Sequence, residues 1–143
     1  MKAKRATDKE RRPQESYVRM HIIAKEIEQI EEQLRSVQRQ TQDAEGTLAA
    51  IHELQRLSTA ASTDEEVLLP VANGIYIQAR AQHPLTLIMN MGRGVCIKQT
   101  PDQAHQLIQN HVKALEQTHH SLSEALQQRI TQAHTLERDL RST

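Results

Sequence analysis

Eight histidines, one cysteine and an acidic triplet are the groups with which this 143-residue chain would bind a metal, move a proton or attack an electrophile. His105 and His111 stand six apart, and His119 adjoins His120. Neither spacing puts two imidazoles on one helical face, as an i, i+4 pair would, and no cysteine completes a zinc set. These histidines read as solvated or as members of a helix seam. Asp64, Glu65 and Glu66 supply carboxylates, yet no Ser-His-Asp order accompanies them, and paired helices offer little concavity to exclude water. Gly92-Arg93-Gly94 lacks the spacing and the Lys-Ser/Thr of a phosphate loop and reads as a turn. Cys96 has no partner for a disulfide or a CxxC pair, so it reads as a small strand residue in a reducing compartment. The expectation is no enzyme, no metal and no cofactor.

The surrounding pattern is helical at both ends. From Met20 through Ile23, Ile27, Ile30, Leu34, Val37, Thr41, Ala44, Leu48 and Ile51 the apolar and small residues step alternately by three and four, with Gln, Glu, Arg, Lys and Asp between them. That is the a/d rhythm of a coiled coil, narrower than the stripe of a globular helix. A second stretch follows Ile108, Val112, Leu115, His119, Leu122, Leu126, Ile130, Ala133, Glu137 and Leu140, with Leu136 beside Glu137. Its two successive steps of four, Leu122 to Leu126 to Ile130, form a stutter that unwinds a supercoil locally. At 1.5 Å per residue the arms, 15–60 and 101–140, span roughly 68 Å and 60 Å, close enough in length to lie antiparallel along each other. Gly46 weakens the first arm by about 1 kcal/mol relative to Ala and predicts a bend or a loosened turn there.

Between the arms lie about forty residues of a different texture. Val67 to Val71 and Ile75 to Arg80 flank Asn73-Gly74, the dipeptide that supplies positive backbone dihedrals to a tight hairpin turn. Pro70 has no N–H to donate, which places its strand at an edge. Leu85 to Asn90 and Val95 to Gln99 flank Met91-Gly92-Arg93-Gly94, a second turn. Thr100-Pro101-Asp102-Gln103 then carries an N-cap, a first-turn proline and a glutamine three residues past the cap, which fixes the start of the second helix. Four short strands cannot cover both of their apolar faces from within the chain, and such a surface usually marks assembly.

Lys2, Lys4, Arg5, Lys9, Arg11 and Arg12 crowd the first dozen residues, with Asp8 and Glu10 among them, and Pro13 predicts the boundary between a flexible basic tail, 1–14, and the first arm. With 18 basic and 18 acidic residues no net field draws the chain to nucleic acid or to an anionic membrane. There is no Trp, no Phe and only two Tyr, a shortage that suits paired helices better than a compact core. No apolar run approaches a bilayer's thickness and the start lacks a signal-peptide stretch, so a cytoplasmic location is expected.

The stretches Leu68-Leu-Pro-Val-Ala-Asn-Gly-Ile-Tyr-Ile-Gln-Ala79 and Leu87-Ile-Met-Asn-Met-Gly-Arg-Gly-Val-Cys-Ile-Lys-Gln-Thr-Pro-Asp-Gln-Ala104 resemble the α class of prefoldin, which carries two linked hairpins between coiled-coil arms. The resemblance implies a mainly α fold: a long antiparallel two-helix coiled coil with two β-hairpins at the bend (61–100), the hairpins joining those of other subunits in an intersubunit β-barrel. It implies one domain over 1–143, with 101–143 as the second helix. It further implies a chaperone that uses no nucleotide, a hetero-hexamer with β-class subunits and a second α copy, which holds non-native polypeptides at its arm tips and passes them to a group II chaperonin. Carried onto this chain, the platform residues are Leu69, Val71, Ile75, Ile77, Leu87, Ile88, Val95 and Ile97. The tips are Tyr17, Val18, Met20, Ile22 and Ile23 on one arm and Ala133, Leu136 and Leu140 on the other. Of these, Tyr17, Val18 and Ile22 fall off the a/d seam, as a surface for varied clients requires.

Two other readings use the same residues. A coiled-coil scaffold subunit would share the fold without handling clients. A basic-zipper DNA-binding dimer would need an unbroken basic helix running into the heptads, which Pro13, Asp8 and Glu10 oppose, and it leaves the hairpins without a role.

Overall fold

The computed structural model describes residues 3–59, 66–80 and 84–142. In chain order these form helix α1 (Ala3–Thr59), strands β1 (Glu66–Ala72), β2 (Ile75–Arg80), β3 (Leu87–Asn90) and β4 (Cys96–Gln99), and helix α2 (Pro101–Arg141). They divide into two compact units, Met1–Gln40 with Leu115–Thr143, and Thr41–Ala114.

The backbone of α1 is already helical at Ala3, so the helix starts well before the boundary that Pro13 predicts. Its neighbours on both sides are mostly Arg, Lys, Glu, Gln and Ala, strong helix formers, and at Pro13 the ladder forgoes a single N–H. Nor does α1 break at Gly46, which is exposed and whose absent Cβ would meet nothing within 4 Å. Every residue of the expected first-arm seam, Met20 to Ile51, is buried or half-buried, while most positions between are exposed. Val37 is buried in the first unit, and Ala44 and Ile51 are buried in the second.

Helix α2 opens on a complete capping box. The Gln103 amide donates to the Thr100 hydroxyl at 3.2 Å, and the Thr100 amide donates to Gln103 Oε1 at 3.0 Å, so each end of the motif satisfies a donor that the helix leaves open. Ala104, Val112 and Leu115 are buried along its inner face. Two positions of the expected seam are not on it. His119 is exposed, and Leu136 rather than Glu137 is half-buried, Glu137 instead receiving Arg141 at 2.6 Å. The reason is arithmetic: after two steps of four, Leu122 to Leu126 to Ile130, two steps of three, Ile130 to Ala133 to Leu136, return the apolar line to phase.

The helices pair antiparallel within each unit. In the first, Glu26 meets Arg129 at 3.0 Å and Arg19 shares a groove with Asp139, so rising numbers on α1 face falling numbers on α2. In the second, Gln55 donates to the Asp102 carboxylate at 2.6 Å, next to the start of α2.

Strands β1 and β2 form one antiparallel hairpin and β3 and β4 another. The first pairs Leu69 with Ile77 and Pro70 with Tyr76, then slips between Pro70 and Ala72 so that Val71 is bulged. Only Gly74 takes a positive φ, 76°, in its turn; Asn73 does not, so the Asn-Gly pair works through its glycine alone. The second turn is the one with two positive central residues, Arg93 (51°) and Gly94 (76°), closed by a bond from the Val95 amide to the Gly92 carbonyl at 3.0 Å. Asn90 Oδ1 accepts the Gly92 amide at 2.9 Å and steers the chain into that turn.

Candidate functional site

Two sets of apolar side chains are left without cover, one on the hairpins and one on α1 near its first heptads. On the first hairpin both faces are apolar. Residues paired across an antiparallel ladder share a face, which puts Val67, Leu69, Ile75, Ile77 and Ala79 on one side and Leu68, Pro70 and Tyr76 on the other. Leu69, Val71, Ile75, Ile77, Leu68 and Tyr76 are all exposed, Leu68 by 64%. Toward the open end the second face turns polar, where Arg80 lies 3.5 Å from Glu66.

The second hairpin alternates more cleanly. Leu85, Leu87, Met89, Ile97 and Gln99 are half-buried, and Ile88, Asn90, Cys96 and Lys98 are exposed. Leu87 and Ile88, both expected in one platform, therefore point to opposite faces, and Ile88 is 70% exposed. Val95 and Met91 continue the line of Leu87 and Ile97 past the ladder and are exposed beside the turn.

Near the start of α1 the expected tip residues separate into two kinds. Tyr17, Val18 and Ile22 are 66%, 60% and 50% exposed. Met20 and Ile23 on α1, and Ala133, Leu136 and Leu140 on α2, are half-buried, because they carry the seam onward. Ile22, Ile23 and Leu136 meet in a shallow groove of about 430 Å³, edged by Arg19, Glu26, Arg129 and Asp139. The Glu26–Arg129 pair is more than a third exposed on both sides, so it sets register between the helices more than it stabilises them, contributing under about 1 kcal/mol.

Sequence reasoning left out Leu68, Tyr76 and Met91, and it left out the charged edge of the groove. The unbroken run Ile75-Tyr76-Ile77 held the first signal, since consecutive large apolar residues in a strand fill both of its faces. Nothing comparable marks Arg19 or Glu26, whose place beside α2 depends on helix pairing. Among the described residues no group of three or more His, Cys, Asp or Glu could hold a metal ion. His120 lies 3.4 Å from Glu124 on the same helix, both well exposed. No described helix is long and apolar enough to cross a membrane.

Two long helices joined through a narrow seam, with two hairpins whose apolar faces lie open, define a coiled-coil arm-and-hairpin protein. A family model for the prefoldin subunit matches residues 23–143, and the chain belongs to that family of chaperone subunits. A relative named prefoldin subunit alpha, from Archaeoglobus fulgidus, is 20% identical over 131 residues, covering 92% of this chain and 93% of its own. Another of that name, from Methanoregula boonei, is 30% identical over 93 residues, 65% of this chain and 60% of its own. The cryo-EM structure of filamentous PFD from Methanocaldococcus jannaschii matches with a TM-score of 0.66 at 16% identity, covering 88% of this chain and 98% of that one, and so shares the fold.

Proposed function

We propose that this chain is the α-class subunit of an ATP-independent holdase. Its hairpins join those of β-class subunits and a second α copy in a hexameric β-barrel platform, and its arm ends hold non-native polypeptides in the cytoplasm before release to a group II chaperonin. The observation that carries the client-binding part is the exposure of Tyr17, Val18 and Ile22 on a helix whose seam is otherwise covered. Three large apolar side chains kept in water, beside a groove floored by Ile22, Ile23 and Leu136, favour capture of apolar segments of another chain. The assembly part is supported by the open faces of both hairpins, since two-stranded ribbons with apolar faces are unstable alone.

Co-expression with a β-class subunit, followed by mass measurement and an aggregation assay on an unfolded protein without nucleotide, tests both parts. The complex should form and suppress aggregation. Removing α1 up to Ile23 and α2 from Ala133 should abolish suppression while the complex keeps its stoichiometry. A trimmed complex that still suppresses aggregation overturns the arm-end assignment, and a chain that stays monomeric with its hairpins intact overturns the platform.

A further inference from the structure

Arg19 and Glu26, on the edge of the apolar groove, stand one heptad apart on α1. Continuing that register toward the start of the helix, the same position falls on Arg12 and then on Arg5, so Arg5, Arg12 and Arg19 form one line leading into the groove. Lys9 stands beside this line. Between Ala3 and Arg19 six basic residues face three acidic ones, in a chain that is neutral as a whole. Antiparallel pairing puts Arg141, the last helical residue of α2, opposite the turn of α1 around Ser16, so the line runs on past the point where α2 accompanies it.

Resting on the client-binding reading above, we propose that this arginine line is a cationic track that selects clients: unfolded polypeptides in which acidic residues precede an apolar run. The apolar run lies in the groove against Ile22, Ile23 and Leu136, and the carboxylates lie along Arg19, Arg12 and Arg5. The charge pattern inside the groove favours this order. Glu26 is already engaged by Arg129 at 3.0 Å, which leaves the cationic end of the groove on the side of Arg19. A nucleic acid fits less well. It would bring phosphates alone to a surface whose cations continue into three aliphatic side chains, with no aromatic in the groove to stack a base.

The test uses the full chain co-expressed with a β-class partner and three fluorescent peptides. They share one core of Leu and Val and differ in the flank before it: Asp/Glu, Ser/Gln or Lys/Arg. The acidic-flanked peptide should bind about ten-fold more tightly than the neutral one at low salt, the ratio falling toward one at about 0.5 M salt. The basic-flanked peptide should bind least. In the Arg5→Glu/Arg12→Glu variant the acidic-to-neutral ratio should fall to one or below, and in Arg5→Lys/Arg12→Lys it should persist. If the neutral peptide binds but the acidic one binds no better, the track is refuted while the client-binding reading stands. If the neutral peptide does not bind, the client-binding reading itself fails, and the track with it. Single-stranded RNA that binds more tightly than the acidic peptide would also overturn the assignment.

Discussion

One substitution, isoleucine to alanine, separates the tasks of the apolar residues when it is made at Ile51, Ile22 and Ile77. Ile51 is 5% exposed in the seam. Its truncation removes the transfer energy of the lost methylenes and leaves a cavity, together about 2–5 kcal/mol in a rigid core. Leu48 and Leu54 nearby are only half-buried, so the helices can relax into the gap, and the lower half of that range, about 2–3 kcal/mol, applies. For a chain of this size each kcal/mol moves the midpoint by roughly 3–5 °C, which gives a fall of about 6–15 °C. Ile22 and Ile77 are each 50% exposed, and removing half-solvated methylenes there changes the fold's own stability by about 1 kcal/mol or less. The assays are thermal unfolding at fixed concentration of the β-class complex, aggregation suppression, and native mass measurement. Ile51→Ala should lower the midpoint, Ile22→Ala should weaken suppression with the midpoint nearly kept, and Ile77→Ala should loosen the complex. If Ile22→Ala lowers the midpoint as much as Ile51→Ala, the exposed arm residues belong to the fold, and the reasoning that separates seam from client surface is wrong.

Gly46→Ala should raise the midpoint, by about 0.5–1 kcal/mol of stability, because the site is helical and exposed and a Cβ there meets open space; a loss would show that the helix needs to bend at that point. Thr100→Ala removes the acceptor of the Gln103 amide and should cost about 1 kcal/mol, read as a lower denaturant midpoint, with Thr100→Ser recovering most of it. In the second turn Gly94→Ala should cost about 1 kcal/mol through its φ of 76° alone, whereas Arg93→Asn, which suits a φ of 51°, should gain a few tenths; equal and opposite shifts in midpoint would refute the turn assignment.

The elements were legible to different depths because different forces place them. The first seam could be read residue by residue from Met20 to Ile51, since period alone decides which side of a regular helix is covered. The second was readable only to Leu115. Beyond it, the histidine at position 119 and the choice between Leu136 and Glu137 depended on how phase is restored after a stutter, which involves the facing helix. Proline and glycine misled in the same direction: Pro13 and Gly46 predicted a boundary and a weak turn, and strong helix formers around both carried the helix through. The hairpins were legible in number and turn position. Their faces were not, because Val71 is bulged and Leu87 and Ile88 are adjacent in sequence but on opposite sides of the sheet. Of the arm-end residues, the off-seam position of Tyr17, Val18 and Ile22 was visible in the spacing, but the groove was not, since half of its lining comes from α2.

Keeping apolar side chains in water without letting them collapse onto their own chain is a mechanical problem, and the helix solves it by direction. Successive residues turn by about 100°, so Tyr17, Val18 and Ile22 lie roughly 100° or more around α1 from the line of Met20, Ile23 and Ile27. No rotamer change can bring them into that seam. The low aromatic content is consistent with this, because a seam of Ile, Val, Leu and Ala admits the partner helix closely and leaves no deep cleft into which an off-seam side chain could fold. A globule of the same composition would satisfy its apolar groups internally. A helix pair of this register cannot, and what it leaves exposed near its first heptads and on its hairpins must be covered, if at all, by another polypeptide.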